Sequence, residues 1–432
     1  MKTTAYILLL IAATALTACN DDEVSYVRQD QLAIKTFPIA SLVCPRLLPD
    51  GSLITIVDDN TANNVTARNG ELDATHGAAI HALAFRFSKL TTDGTWTQSD
   101  GLSYNITTED NRQHDNQLAL SDDTGDIDIT SDGNVFFRYC LESTFLGVAN
   151  LDGEIIINSD IKSLFDDNYI GSIALDDGSL AVIHGENPVI SILDASGEWS
   201  QQISLSSIRY DENAHYKVYG LCGNIMIVGN DTRQDENMFY VFSPAGELLN
   251  SGSCNYNYDR IINISDPSSN TTYGYAIISN AKIQTDDSDS EDGGFVIKLD
   301  SNGNVIFEYQ TAELTDIFNL TMHDGQLLVA GDYMSMSMDY LSNVNDMTKF
   351  MSTITGKIIT LDAATGDEIS VNTISLEGGV MPFAVVPDYN GGYYVYLSRI
   401  MTSDAGMIGN NNSYGSSIYI YHTDDLNKLN IE

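Results

Sequence analysis

The sequence predicts an all-β chain built from one four-stranded unit used repeatedly, and three observations predict it. An apolar strand, a tight Gly turn and a polar–apolar strand recur along the chain. A second hairpin, usually with an Asp-Gly turn, precedes the copies of the first. Proline is scarce, 8 in 432 residues, and no long 3.6-residue apolar period competes with the short strands.

The clearest copy of the first hairpin is GGFVIKLDSNGNVIFEYQT, Gly293 to Thr311. Further copies begin at His81, Thr144, Asn187, Met238, Gly356 and Ser417, seven in all. Six place a glycine at the turn: Gly94, Gly153, Gly197, Gly246, Gly303 and Gly366. Tight hairpin turns need φ > 0, which glycine adopts without steric cost. The preceding hairpins carry Gly51, Gly133, Gly178, Gly223, Gly325 and the pair Gly391-Gly392. The fifth is degenerate, IINISDPSSNTTYGYAII, with Gly274 placed near its turn. The strands are short and rich in Val, Ile, Phe and Tyr, which suit a pleated, packed surface.

Seven four-stranded antiparallel units arranged radially make a seven-bladed β-propeller. Six or eight blades, a β-sandwich and an extended solenoid are the alternatives. The domain occupies residues 31–432. QLAIKTF, Gln31 to Phe37, falls where an outer fourth strand is needed, and the C-terminal KLNIE competes for the same slot in the last unit. If the N-terminal strand takes it, the ring is closed by pairing the two chain ends.

The chain begins with a basic Lys2 and an apolar run, Tyr6 to Leu16. Eleven residues are too few to span a ~30 Å hydrocarbon core and fit a secretory signal over residues 1–18. Leu16-Thr17-Ala18-Cys19 resembles the lipobox of bacterial lipoproteins. The resemblance implies cleavage before Cys19, lipid on its sulfur and an acylated N-terminus; two or more acyl chains anchor stably. Asn20-Asp21-Asp22-Glu23 is similar to the acidic export signal of Bacteroidetes surface lipoproteins. Residues 19–30 then read as a lipidated acidic tether. An ordinary signal peptide with Cys19 in a disulfide is the alternative. The implied location is the outer membrane, on the cell surface or the periplasmic face, with membrane contact through the lipid anchor alone.

Ile359 to Asp367, ITLDAATGD, resembles the repeat of pyrroloquinoline-quinone-type propellers, with a weaker echo at Ala195 to Trp199. The other copies are similar to the Asp-Gly propeller repeats of Bacteroidetes lipoproteins. The Trp that should follow the TG pair is missing from most copies, and so is a vicinal cysteine pair, which argues against quinone chemistry. Fold likeness alone does not assign function.

The full sequence holds 60 acidic and 20 basic side chains, a net charge of −40. Such a field repels nucleic acid and anionic lipid, and both are excluded as partners. Cys44, Cys140, Cys222 and Cys254 follow Cys19. No Cys-x-x-Cys spacing points to zinc or redox chemistry. Buried thiols are the favoured reading; if a bridge forms, Cys222–Cys254 is first choice because both lie in one unit.

Connectivity divides the functional surface. In an antiparallel unit, the strand 1–2 and 3–4 turns share one face, and the strand 2–3 loops and unit-to-unit crossings share the other. The Asp-Gly and Asn-Gly turns all belong to the first. The long inserts, Asn60–Ile80, Gly101–Gly125, Thr285–Asp292, Ser335–Thr355 and Thr402–Gly415, all belong to the second. Variable loops on a rigid scaffold are where binding resides; neutral length drift is the alternative.

On that face, Met336, Met338, Tyr340 and Phe350 stand out in MSMSMDYLSNVNDMTKFM, since Met adapts to irregular partners; burial beneath a small cap is the competing reading. Tyr210, Tyr256 and Tyr258 in the crossings suit sugar stacking or protein contact. Arg46, Arg209 and Arg260 would orient an anionic ligand, or serve as ion-pair partners. Asp287, Asp289 and Asp292 lie in an oxygen-rich stretch that admits Ca²⁺, although Glu291 and Lys298 break the EF-hand pattern; a solvated loop is the other reading and no cofactor is otherwise expected. The seven His show no H-E-x-x-H spacing, and no G-x-S-x-G elbow is present.

The function that follows is a non-catalytic, membrane-anchored envelope lipoprotein whose insert face binds a protein or glycan partner. One variant is an assembly role like that of the propeller lipoprotein of the outer-membrane β-barrel machinery. The alternative is a carbohydrate-active hydrolase or lyase, which needs converging carboxylates, or a metal with His, at the central channel.

Overall fold

Each repeat forms the four strands its pattern predicts. Within sheet 6, Asp316–His323, Gln326–Met334, Ile354–Asp362 and Glu368–Ile374 pair antiparallel in chain order. Sheets 2 to 5 repeat this order: Ile127–Ile129 through Ile155–Asp160, Tyr169–Ala174 through Trp199–Ser204, Tyr216–Leu221 through Leu248–Cys254, and Arg260–Asp266 through Val305–Thr311. Sheet 1 comprises Leu42–Leu47, Leu53–Asp58, Ile80–Leu90 and an outer strand in two pieces, Trp96–Gln98 and Leu102–Thr107, both on Ile80–Leu90. Part of the Gly101–Gly125 insert is therefore strand rather than loop.

These sheets come from a computed structural model, which describes residues 33–36, 42–48, 50–58, 80–98, 102–107, 127–129, 135–140, 144–150, 155–160, 169–175, 179–185, 188–194, 199–205, 208, 216–231, 236–266, 269–284, 290–334, 354–374, 380–388, 390–400 and 416–429. Among them, no helix is long and apolar enough to cross a membrane.

Sheet 7 joins the two ends of the chain. Val380–Pro387, Tyr393–Ile400 and Ser416–Thr423 supply three strands, and Ala33–Thr36 supplies the outermost, with Ala33 opposite Ile420 and Thr36 opposite Ser417. The C-terminal competitor for that slot instead begins as a 3₁₀ turn, Leu426–Leu429. Sheet 7 also packs on sheet 1. Leu53 and Leu90 meet Ala384, Val386, Tyr396 and Ile420 in one buried cluster, and the Tyr396 hydroxyl donates to the Gly51 and Leu90 carbonyls at 3.0 and 3.3 Å. The first strands of successive sheets contact one another from sheet 1 to sheet 7. The chain is thus a β-propeller, with first strands innermost and fourth strands at the rim.

That arrangement explains the sequence pattern. Inner strands lie between two neighbouring sheets, so both faces are buried and no alternation is needed: Leu180, Ala181, Val182 and Ile183 are all buried. One face of Gln326–Met334 sends Leu327 and Val329 toward sheet 5, and the other sends Leu328 and Ala330 toward sheet 7. Rim strands have one wet face, so Val305, Ile306, Glu308 and Gln310 are exposed while Phe307 and Thr311 are buried.

The strand 3–4 turns of sheets 1, 4 and 5 share one hydrogen-bond plan, and that of sheet 6 is one residue longer, with Asp362 N–H on the Asp367 carbonyl. In the clearest, Asp300 N–H donates to Asn304 C=O at 3.0 Å and Gly303 N–H donates to Asp300 C=O at 3.0 Å, with Gly303 at φ 78°. This is a type I turn closed by a left-handed residue and a bulge. The Asp side chain completes it, since Asp300 Oδ1 accepts the N–H groups of Asn302 and Asn304 at 2.8 and 2.9 Å. Of the turn glycines expected from the sequence, Gly51, Gly94, Gly223, Gly246, Gly303, Gly325, Gly366, Gly391 and Gly392 have positive φ; Gly133, Gly153, Gly178 and Gly197 lie outside the described residues. Gly274 is a correction. It sits inside Thr271–Gln284 opposite Asn263, and the turn falls at Asn270, φ 51°. A Cβ on Gly274 would meet Leu221 Cδ1 at 2.2 Å, so the residue is small because sheet 4 packs against it there.

Cys222 and Cys254, the pair named first should a bridge form, are both thiols, in line with the favoured reading. They share a sheet but lie at opposite ends of it. Cys222 is in the strand 1–2 turn, and Cys254 closes the fourth strand beside the crossing to sheet 5. Cys44 and Cys140 lie in strands, with side chains outside the described set.

Candidate functional site

The two faces separate as connectivity requires. All thirteen strand 1–2 and strand 3–4 connections have five residues or fewer. On the other face, the connections after Asp58, Thr107, Met334 and Ile400 run to 21, 19, 19 and 15 residues. Ile354 and Thr355 pair with Met334 and Tyr333, so the Met-rich insert ends at residue 353, two residues sooner than expected. Ser290, Glu291 and Asp292 likewise extend the third strand of sheet 5.

First strands enter from the insert face, and several are irregular. Register shifts fall between Val43 and Arg46, Tyr169 and Gly171, Ile317 and Asn319, and Pro382 and Ala384. Such bulges re-aim side chains and recur at barrel rims and beside active sites.

The expected site residues divide. Arg46 stands opposite Ile54 in the first strand of sheet 1, its side chain outside the described set. Arg209, Tyr210, Met336, Met338, Tyr340, Phe350, Asp287 and Asp289 lie outside the described residues. Tyr256 lies in the crossing between sheets 4 and 5. Its ring is 5.2 Å from Phe295, and its hydroxyl donates to Glu308 Oε1 at 2.8 Å. Burial and that carboxylate push its pKa up to about 12.

Tyr258 is a correction: at 3 % exposure it belongs to the core between sheets 4 and 5, not to a ligand-facing surface. Its carbonyl accepts from Lys217 Nζ at 3.2 Å and from the Tyr219 hydroxyl. Arg260 opens the first strand of sheet 5, half-buried, and its Nη2 donates to the Ile317 carbonyl of sheet 6 at 3.4 Å. Asp292 ion-pairs with Lys282. Among the described residues, no three His, Cys, Asp or Glu side chains come together as a metal-binding group.

The sequence reading missed the best-defined polar cluster on this face, where sheet 6 meets sheets 5 and 7. Asp316 and Asp332 stand directly opposite each other in the first two strands. Asn280 Nδ2 donates to Asp316 Oδ1 at 2.7 Å. The Ile317 N–H donates to Ser279 Oγ at 3.1 Å, and Asp259 Oδ2 accepts the Ser279 N–H at 2.5 Å. Thr315 N–H and Oγ1 both donate to the Asp332 carbonyl, at 2.8 and 3.3 Å. Asp332 itself is 2 % exposed, and its Oδ1 has no hydrogen-bond partner. Burial first, then the facing Asp316, pushes its pKa up to about 8. The signal that could have found it is Gly331-Asp332, an acid ending the apolar run LLVAG; sixty acids hide it.

Opposite pKa shifts on the two faces give opposite pH dependences. The Thr91 hydroxyl and the Thr95 N–H hold the Asp93 carboxyl down to about 2. The Thr365 and Ala364 N–H groups lower Asp362, and the Asn390 N–H lowers Asp388. These turn carboxylates stabilise the fold above the ordinary carboxylate range, and that contribution is lost as pH falls from about 4 toward about 2. Asp332 works the other way. Between about pH 4 and about pH 8 the folded chain keeps a proton that the unfolded chain releases, so its cost rises with pH across that window. In urea titrations without added divalent cation, the stability of Asp332→Asn relative to wild type is expected to increase from about pH 4 to about pH 8 and then level off. A pH-independent difference would exclude the shift.

No family model and no curated protein matches the chain. Among solved structures it is similar to virginiamycin B lyase from Staphylococcus aureus, at 10 % identity and TM-score 0.42 over 90 % of this chain and 99 % of that one. It is similar to BamB from Moraxella catarrhalis at 14 % identity and TM-score 0.34, over 93 % and 99 %. A protein of unknown function from Bacteroides caccae matches at 12 % identity and TM-score 0.38, over 67 % and 89 %. At these values none bears on activity, and the propeller stands on the sheet order described above.

Proposed function

We propose that the chain is an exported, lipid-anchored, seven-bladed β-propeller that captures a protein or glycan partner on its insert face, without chemistry of its own. The observation that carries this reading is where the long connections fall: between the described strands, all thirteen on one face have at most five residues, while the four of 15 to 21 all lie on the other, beside eight short ones there. Neutral drift acting alone would lengthen turns on both faces. The turn face instead keeps connections of two to five residues between its described strands, and so offers little variable surface.

Strand direction adds an orientation. Ala33–Thr36 runs antiparallel to Ser416–Thr423, so Ala33 lies at its turn-face end and Thr36 at its insert-face end. A tether from a lipidated Cys19 would therefore join the ring on the turn face. Thirteen residues separate Cys19 from Ala33, a reach of at most ~45 Å at ~3.5 Å per residue. Anchored so, the propeller rests with its short turns toward the membrane and its long loops away from it, where a partner can reach them. Cys19→Ser should move the protein from the membrane to the soluble fraction.

The test is replacement of residues 336–352 by a short Gly-Ser linker, followed by affinity capture from the native envelope. Capture is expected to fall at least about tenfold, which is ~1.4 kcal/mol of lost binding, while the unfolding midpoint stays within a few degrees. Undiminished capture would take this insert out of the binding surface.

A further inference from the structure

We propose that the turn-face edge of the rim, from sheet 4 to sheet 6, rests on a neutral lipid surface and sets how the anchored propeller stands on the membrane. Leu248, Leu249, Val305, Ile306 and Ile369 are between 39 % and 56 % exposed, and among the described residues no other large apolar side chain is exposed. All five fall in the first two residues of a fourth strand. They therefore lie at the same end of three consecutive sheets.

Packing does not require them. In each of these sheets the fourth strand carries one residue more than the third at this point: between Leu248 and Asn250, between Val305 and Phe307, and between Glu368 and Ser370. The extra residue is Leu249, Ile306 or Ile369. Such a bulge residue is left unpaired by the ladder, and its exposure keeps it out of the core. The corresponding residue of sheet 3 is Ser200, so the same bulge accepts a polar side chain. Singly exposed aliphatic residues are ordinary, but equivalent ones on adjoining sheets form an apolar edge.

The place of the tether selects lipid as the occupant. Ala33 lies toward the turn-face end of the outermost strand of sheet 7, and sheet 7 packs against sheet 6. Thirteen residues join Ala33 to Cys19, a reach of at most ~45 Å. A lipid on Cys19 therefore brings the bilayer to the side of the ring on which the apolar edge lies. A contact too weak to hold free molecules becomes intramolecular once the anchor is inserted. Charge sets the kind of lipid. The chain carries a net charge of −40, and Glu308 and Glu368 are exposed on the same rim strands. An anionic surface would repel this edge, so the lipid it meets is zwitterionic.

This inference rests on the lipid-anchor reading and adds to it a contact made by the protein itself; it does not depend on partner capture. Its test uses the lipidated protein in phosphatidylcholine vesicles, with and without bromine on the acyl chains. Val305→Trp and Ile369→Trp put a fluorescent reporter on the edge, and Asn257→Trp puts one on the insert face; all three positions are exposed. Emission of the two native Trp, measured in wild type, is subtracted. Flotation with the vesicles, lost in Cys19→Ser, reads the anchor. The added emission of Val305→Trp and Ile369→Trp should shift to the blue on the vesicles and lose intensity to bromolipid, and that of Asn257→Trp should do neither. Flotation without quenching at the edge would overturn the lipid contact and leave the anchor standing; a blue shift in that case would assign the edge to protein, a second copy included. Protein that does not float would overturn the anchor and the contact with it.

Discussion

A chain that begins at Phe37, lacking Ala33–Thr36, is expected to unfold at markedly lower urea than one that begins at Gln31. Four residue pairs join this strand to Ser416–Thr423, and ladder hydrogen bonds contribute about 1 kcal/mol each in net terms. The loss is therefore ~3 kcal/mol or more, a large share of a typical domain's stability. It also opens the edge of SSIYIYHT, a strand rich in β-formers that would then invite pairing with other chains. The truncated form should self-associate on gel filtration, and the Gln31 form should not. Equal midpoints would mean that the chain ends do not close the ring.

Gly331→Ala should cost ~2–4 kcal/mol, and Gly325→Ala only ~1 kcal/mol. Size decides the first. The new Cβ would sit 2.2 Å from the Asp316 carbonyl oxygen and 3.2 Å from Ile317 Cα, and both are backbone atoms held by pairing within sheet 6. Relief requires the first strand to move, which also pulls Asp316 from Asp332. Conformation alone decides the second: Gly325 has φ 75°, and a methyl group there would meet no atom within 4 Å. Denaturant titration of both variants checks the order, and a reversed order would contradict the strand packing of sheet 6.

The repeat was legible because its physics is local. Inner strands buried on both faces must be apolar throughout, and a five-residue turn closed by a left-handed residue selects glycine. Chain-end pairing was legible as an option, since QLAIKTF reads as a strand with no partner in sequence. What failed depended on contacts distant in sequence. Gly274 looks like a turn residue until Leu221 is placed against it. Tyr258 looks like a surface aromatic until its crossing folds over Tyr219, with ring centroids 6.1 Å apart. Asp316 and Asp332 are ordinary acids in an acidic chain until register sets them face to face.

If partners bind the face carrying the long connections, site-specific photo-cross-linking in intact cells tests it most directly. A photoreactive side chain is placed at Asn63, Asn257, Tyr340 or Asn410, one in each of four insert-face connections, or at Ala245 or Ala364, two exposed positions in the short turns. Adducts of one discrete partner are expected from the insert-face positions and none from the turns. Adducts confined to Ala245 and Ala364 would contradict binding on the insert face.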